Sequence, residues 1–432
     1  MMDYKETVDY ILNIPMFAQK IGTENLASLL RRLGNPEKSG HIIHVAGTNG
    51  KGSTCKLLQT MLINAGYKVG LFTSPHLISI NERIRVNDSM ISDDEFAACF
   101  DIVRCEFTVH PSFFEVMFAM AAVYFRMKGV DYAIYETGMG GLYDATNVLA
   151  PELTVITSVG LDHMMYLGDT IHDIAVQKAG IIKQGVPICY FKRDEEAAGV
   201  IEEMAKNKNA EIIKVEKCQY IINGLEDKSI DFSLHNRYYN YDHLKIRRSS
   251  MYQVENACLA MTAFALLVDV FCMEINHVNR RQLMEQSLME FSWEGRMEEV
   301  SDGIYVDGAH NPEAVAAYVD TLRQLYDEGK KILVFAAVSD KDYETMIKLL
   351  CTDMTYRQII VTSVRGPRKA DIERIAEIFK KYTASPVSVY DIIADAMDAA
   401  KKAKTADDSI FCVGSLYLAA DVKKWIANKN NL

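Results

Sequence analysis

The chain has 432 residues, more than one hydrophobic core commonly serves, so two or three domains are expected. Hydrophobic residues make up 49% and charged residues 24%, an ordinary globular composition that excludes a disordered or fibrous chain. The 47 basic against 58 acidic residues leave a net charge of −11, which argues against nucleic acid or an anionic membrane as a partner, while anionic ligands held by local donors stay open.

The first fifteen residues carry acids early and lack an uninterrupted apolar core, so no signal peptide is expected. Apolar runs elsewhere fall far short of the ~20 residues a membrane span needs, and a soluble, cytoplasmic protein is expected. Nine scattered cysteines form no CxxC and no zinc-spaced cluster, which suits buried free thiols in a reducing compartment.

Residues 3–33 suggest two amphipathic helices, stopped at Gly34-Asn35-Pro36. An apolar strand at 41–46 leads into a glycine-rich turn and a helix from about Lys51 to Ala65. Gly66 closes that helix before a strand at 68–72. Strand–turn–helix–strand is a βαβ unit, which implies a parallel sheet with right-handed crossovers. Further elements follow: helix 113–127, strands 131–135 and 153–157, helix 170–182 and strand 186–190. Residues 211–248 are short β-prone runs broken by Asn, Asp and Lys, which suggests a small antiparallel patch. A long, largely buried helix at 253–271 comes next.

The pattern resets around 293–303. Strands at 304–306, 332–336, 358–362, 387–390 and 410–413 then alternate with helices at 312–326, 343–350, 371–381 and 393–402 and a final helix. The expected fold class is α/β. A P-loop-type doubly wound parallel sheet occupies residues 1–297, including the small patch. A smaller Rossmann-like α/β domain occupies 298–432.

Ala46-Gly47-Thr48-Asn49-Gly50-Lys51-Gly52-Ser53-Thr54 lies between strand and helix. Successive backbone N–H groups of Thr48, Asn49, Gly50 and Gly52 can form an anion nest there, and the helix N-terminus adds partial positive charge. Lys51 supplies a full charge for the β- and γ-phosphates, and Ser53 or Thr54 can bind phosphate or magnesium. Against the usual Walker A spacing, Val45 stands where the first glycine belongs and Gly52 separates the lysine from the serine. The loop's place between strand and helix carries the assignment instead.

Three further motifs sit at strand ends, where open α/β sheets gather their active sites: Thr73-Ser74-Pro75-His76-Leu77, Tyr135-Glu136-Thr137-Gly138-Met139-Gly140-Gly141, and Gly160-Leu161-Asp162-His163. A hydroxyl, a carboxylate and an imidazole could share one magnesium ion. Singly, each has a structural account: Ser74 as a turn residue, Glu136 as a capping acid, His163 as a satisfied core histidine. Further on, Asn311 suits an N-cap and Pro312 the first helical position, which leaves Asp307 and His310 without an evident structural duty.

These segments together resemble the folylpolyglutamate synthase and bifunctional dihydrofolate synthase family of the Mur-ligase superfamily. The phosphate loop, Leu33-Gly34-Asn35-Pro36 before it, and Asp307-Gly308-Ala309-His310-Asn311-Pro312 carry the likeness, joined by Ser339-Asp340-Lys341-Asp342 and Gly414-Ser415-Leu416-Tyr417 in collinear order. The resemblance implies ATP-dependent addition of L-glutamate to a folate or dihydropteroate carboxylate, with ATP and Mg2+ as cofactors and a monomer as the working form. It implies Ser74, Glu136 and His163 as magnesium ligands and Asn256, Arg296 and Asp307 as nucleotide contacts. His310 then lies near the phosphates, and Lys178, otherwise a solvated helix lysine, is carbamylated. Asn256 on general grounds fits an ordinary capping role equally well.

On the acceptor side the resemblance implies Phe114, Glu115, Tyr143 and Asp144. Phe113 and Phe114 are most simply core residues. Leu142 stands where the family usually has arginine, so one cation near the acceptor is lost. The two domains are expected to close over ATP and exclude water. Two alternatives stand beside this one: a Mur-type ligase for a different, UDP-linked carboxylate, and a non-ligating nucleotide-binding module. The short stretch before the phosphate loop argues against the first, and the Asp307–His310 motif against the second.

Overall fold

The computed structural model describes residues 2–15, 22–226, 229–247, 250–270, 273, 275, 279–326, 331–366 and 368–430. Compactness divides the chain into Met1–Arg247 with Val254–Ser292, and Arg248–Gln253 with Trp293–Leu432. The expected joint near 298 lies a few residues later. Glu294 and Glu298 both accept from Lys423 Nζ in the final helix, at 2.5 and 2.8 Å, which ties the stretch before 298 into the second unit.

The first unit is built on an eight-stranded sheet. Its strands are β1 (His41–Ala46), β2 (Val69–Phe72), β3 (Ile84–Val86), β4 (Ser89–Met90), β5 (Tyr132–Glu136), β6 (Leu153–Ile156), β7 (Ile188–Lys192) and β8 (Ile212–Glu216). The order is β4-β3-β2-β5-β1-β6-β7-β8. Every pairing from β2 to β8 is parallel, and the short β3–β4 hairpin adds antiparallel strands at one edge. The central strands are buried on both sides, as a sheet covered by helices on both faces requires.

One large core packs the helices Tyr4–Leu12, Glu24–Arg32, Asp93–Cys105 and Phe113–Lys128 with Phe72 and Tyr135. The Phe113–Lys128 helix starts at a Ser112/Glu115 capping box and stops at Gly129, whose φ of 59° only glycine takes cheaply. The Asp93–Cys105 helix, opened by a Ser92/Glu95 capping box, was not anticipated from the sequence.

The antiparallel patch begins later than expected. Residues 212–216 form β8, which pairs in parallel with β7 in the main sheet. Ile213 and Val215 bury alternate side chains, and the Glu195–Asn207 helix, missed in the sequence, supplies the right-handed crossover. The patch itself is β9 (Tyr220–Leu225), β10 (Ser229–His235) and β11 (Asn240–Arg247), ordered β11-β10-β9. The Tyr252–Asp269 helix lies against it: Thr262 Oγ1 accepts from Asn236 Nδ2 at 3.1 Å, and the Met261 carbonyl from Tyr239 Oη at 3.1 Å.

The second unit holds β12 (Glu298–Ser301), β13 (Ile304–Val306), β14 (Lys331–Phe335), β15 (Gln358–Thr362), β16 (Val387–Tyr390) and β17 (Ser409–Val413), ordered β12-β13-β17-β14-β15-β16. All pairings are parallel except β12 with β13. The chain is therefore α/β, with a doubly wound parallel sheet followed by a separate, smaller α/β unit.

Candidate active site

Four neighbouring parallel strands, β2-β5-β1-β6, end side by side, and the motifs singled out in the sequence leave those ends. β1 runs into the phosphate loop, β2 into Ser74, β6 into the segment ending at His163, and β5 closes on Glu136. Val45 pairs with Glu136, so the carboxylate stands beside the root of the loop.

The phosphate loop is shaped by glycine and braced by hydroxyls. Gly47 has φ 155° and Gly50 φ 81°. A Cβ at Gly47 would fall 1.9 Å from Thr157 Oγ1, and one at Gly50 2.4 Å from Asn256 Oδ1. The Thr157 hydroxyl donates to the Asn49 carbonyl at 2.6 Å, and Asn49 N–H donates to Ser158 Oγ at 2.9 Å. Thr48 N–H donates to the Ser158 carbonyl, and its hydroxyl both donates to the Gly160 carbonyl and accepts from Gly160 N–H. Thr157 and Ser158 were not singled out in the sequence; a hydroxyl pair at the tip of the strand beside β1 was the available signal.

The Lys51–Asn64 helix starts at Gly50 with no side-chain cap, so its N-terminal amides are not spent on a capping oxygen. Ser53 and Thr54 are both buried in its first turns, and Thr54 Oγ1 lacks a hydrogen-bond partner. Lys51 Nζ donates to the Gly47 and Thr48 carbonyls at 3.0 and 3.3 Å and lies 3.9 Å from Glu136 Oε1. Glu136 is 3% exposed, and its Oε2 accepts from Ser74 N–H at 3.0 Å. Ser74, Glu136 and Lys51 are thus brought together. His163 opens the short Met164–Leu167 helix in the left-handed region, φ 53°, with Nε2 3.9 Å from Asp162 Oδ2. Lys178 is buried in the last turn of the Ile171–Ala179 helix.

Among the residues expected on the acceptor side, Phe114 packs over Gly138, where a Cβ would meet the ring at 2.7 Å, and lies 5.5 Å from Phe72 between centroids. Glu115 Oε2 accepts from Ser112 N–H and Oγ at 2.7 and 2.8 Å, so this oxygen serves the helix cap. Tyr143 is exposed. Asp144 is buried and holds two turns at once, with Oδ1 accepting from Thr146 and Oδ2 from Met139 N–H. Burial pushes its carboxyl pKa up, against the pull of those donors. Leu142 packs on Gly180, where a Cβ would fall 2.5 Å from the leucine Cβ.

In the second unit, Asp307 does have a structural duty, contrary to the expectation. Its carboxylate accepts from Tyr252 Oη, Met297 N–H and Ala309 N–H, each at 2.8 Å. Burial raises its pKa, opposed by the Arg296 charge and by these donors. His310 Nδ1 lies 2.8 Å from the Gly308 carbonyl, which can only accept, so Nδ1 carries a proton. Arg296 Nη1 passes so close to Gly308 that a Cβ there would fall 2.3 Å away. Asn311 caps the Pro312–Leu325 helix through Ala314 N–H, as its position in the sequence implied.

A nucleotide loop on a doubly wound sheet, followed by a separate α/β unit opening on Asp307 and His310, defines a Mur ligase. Residues 45–264 match the Mur ligase middle domain and residues 295–416 the Mur ligase glutamate ligase domain. The dihydrofolate synthase/folylpolyglutamate synthase of Bacillus subtilis is 36% identical over 98% of both chains, and the folylpolyglutamate synthase of Lacticaseibacillus casei 32% identical over 98% of both. The crystal structure of folylpolyglutamate synthase from Thermotoga maritima aligns with TM-score 0.83 at 29% identity, covering 99% of this chain and 97% of that one. The Escherichia coli protein in complex with DHPP and ADP aligns with TM-score 0.87 at 26% identity, covering 99% of each. The chain belongs to the dihydrofolate synthase/folylpolyglutamate synthase family.

Proposed function

We infer that the protein is an ATP-dependent ligase that joins L-glutamate to the carboxylate of a folate. The observation that carries this reading is the meeting of Lys51, Glu136 and Ser74 at the tips of adjacent strands, beside a helix N-terminus without a side-chain cap. Thr48, Asn49, Gly50, Gly52, Ser53 and Thr54 surround the phosphates, with Asn256 over Gly50. On this reading Arg296, Asp307 and His310 are proposed as further nucleotide contacts.

The donor set suits Mg2+. A buried carboxylate at 3% exposure, a hydroxyl and phosphate oxygens match an ion that usually takes one or two protein carboxylates and keeps several waters. Ser74, Glu136 and His163 would hold it, and when bound it offsets charge on the phosphates. Lys178, buried in the last turn of its helix, is carbamylated in this reading, which replaces a buried cation with a carboxylate-like ligand.

In the reaction, an acceptor carboxylate oxygen attacks the γ-phosphorus of ATP. ADP leaves and an acyl phosphate forms. Lys51 stabilises the charge on the transferring phosphoryl group. The amine of glutamate then attacks the acyl carbon, and the tetrahedral intermediate expels inorganic phosphate, leaving an amide. Phe114 offers a flat apolar face to an acceptor ring, and Tyr143 and Asp144 line the same loop. Dihydropteroate is a second acceptor, and the protein works as a cytoplasmic monomer. No helix among the described residues is long and apolar enough to cross a membrane.

The test is phosphate release by the purified protein with ATP and glutamate, offering tetrahydrofolate and dihydropteroate separately. Release driven by either supports the ligase, and release driven by dihydropteroate supports the second acceptor. Release driven only by a UDP-linked precursor, or indifferent to any acceptor, overturns the folate reading.

A further inference from the structure

His44 lies in β1, three residues before Gly47, and is fully buried between Tyr135 of β5 and Thr154 of β6 in the strand register. Its Nε2 lies 2.7 Å from Thr146 Oγ1, and Thr146 Oγ1 lies 2.6 Å from Asp144 Oδ1. The Thr146 amide also donates to Oδ1, at 3.0 Å, and Asp144 Oδ2 accepts from Met139 N–H at 2.9 Å. These contacts form one unbroken path from the phosphate-loop strand to the Gly138–Gly141 turn that follows Glu136.

The protons on this path have one consistent arrangement with an ionised Asp144. The Thr146 hydroxyl has a single proton, which goes to the carboxylate. Its lone pair then accepts Nε2–H from His44. His44 is neutral, and its buried Nδ1 is a bare lone pair without a partner. A second proton there would have no acceptor, in keeping with a pKa lowered to about 3, chiefly by burial and then by the Lys183 charge.

The turn and the phosphate loop have separate supports. The loop is braced by Thr157, Ser158 and Gly160. The turn is braced by Asp144 and packs against Phe114, Leu167 and Gln177. Loss of the path would therefore loosen the turn and leave the nucleotide loop in place.

We propose that Thr146 is a positioning residue for the acceptor: through Asp144 it holds the Gly138–Gly141 turn against β1, so that Phe114 and the loop at Tyr143 meet the acceptor in a fixed geometry. This inference rests on the ligase reading, which sets the acceptor against Phe114 and the loop at Tyr143 and Asp144.

The test is steady-state kinetics of Thr146→Val, which keeps the shape and removes the hydroxyl, beside Thr146→Ser, which restores it. In Thr146→Val the KM for the folate acceptor rises about tenfold, the factor for losing one hydrogen bond to a charged group. The KM for ATP stays within about twofold, a split that general loosening of the fold would not give. Thr146→Ser restores the acceptor KM. An unchanged acceptor KM, a parallel rise for ATP and acceptor, or a serine variant as impaired as valine overturns the proposal. If Thr146→Val does not fold, His44→Leu removes the donor at the other end and is judged by the same split. Failure of the ligase reading shows separately, because the unaltered protein would then release no acceptor-dependent phosphate.

Discussion

Lys51, the first residue of the helix that follows β1, lies 3.9 Å from Glu136 at the end of neighbouring β5, and the lysine also donates to the carbonyls of its own loop. The side chain is held over the loop instead of reaching into solvent, so its charge is positioned before any nucleotide arrives. On the proposed ligase reading, replacing Lys51 with Ala removes this charge from the transferring phosphoryl group. Acceptor-dependent phosphate release should fall by about a hundredfold or more, the scale for losing one preorganised electrostatic contact. Thermal melting, which should stay close to that of the unaltered protein, separates the effect from unfolding.

Gly50→Ala should impair nucleotide binding through the backbone. The new Cβ would meet Asn256 Oδ1 at 2.4 Å, in a conformation with φ 81° that costs an L-residue about 1 kcal/mol before any clash. The expected outcome is a rise in the ATP KM together with a lower melting temperature. An ATP KM equal to that of the unaltered protein would show that the loop accommodates the methyl group.

Tyr252→Phe tests the duty found for Asp307. The change deletes one of three donors to a buried carboxylate and leaves that lone pair unsatisfied. A stability loss of about 1–3 kcal/mol is expected in denaturant titration. A loss near zero would mean that water or Arg296 takes over the vacated position.

His44 also sets an acid limit on stability. Its folded pKa of about 3 lies below the ordinary 6.5, so the unfolded chain binds the proton more readily. The stability it confers is complete above about pH 6.5 and is eroded as the pH falls toward 3. His44→Gln keeps an N–H for Thr146 but cannot titrate. Melting curves between pH 6.5 and 4.5 should therefore decline less steeply in this variant, and equal slopes would refute the assignment.

Chelation tests the ion. Removing divalent cations with EDTA should abolish phosphate release, and Mg2+ should restore it. Glu136→Gln, which keeps shape but halves the oxygen donors, should require about tenfold or more Mg2+ for half-maximal rate.

Much of the site was legible because its chemistry demands particular residues at particular places. Gly47 and Gly50 give the loop the backbone freedom a nest needs and Lys51 adds a charge suited to phosphates, and the strands leading to Ser74 and Glu136 read clearly as apolar runs. The supports were hidden. Thr157 and Ser158 lie more than a hundred positions from Asn49, and their one mark in the sequence is a hydroxyl pair at a strand tip, which does not say which loop it braces. The apolar alternation of β8 fits either sheet, so the sequence alone places it equally well in the antiparallel patch. The crossover helix Glu195–Asn207 decides for the parallel sheet. Asp307 has one of its three donors, Tyr252, 55 positions away, and the other two are backbone amides that no residue type marks.

The register of β1 on β5, with Val45 opposite Glu136, has a consequence for how preparations of the protein can be assessed. A one-residue slip of β5 would carry the carboxylate about 3.3 Å along the sheet and turn it to the opposite face. On the proposed role of Glu136, misaligned molecules would then be inert, however compact they look by size or spectroscopy. Turnover per mole of chain is therefore a census of correctly threaded molecules, and it measures refolding yield more stringently than secondary-structure content does.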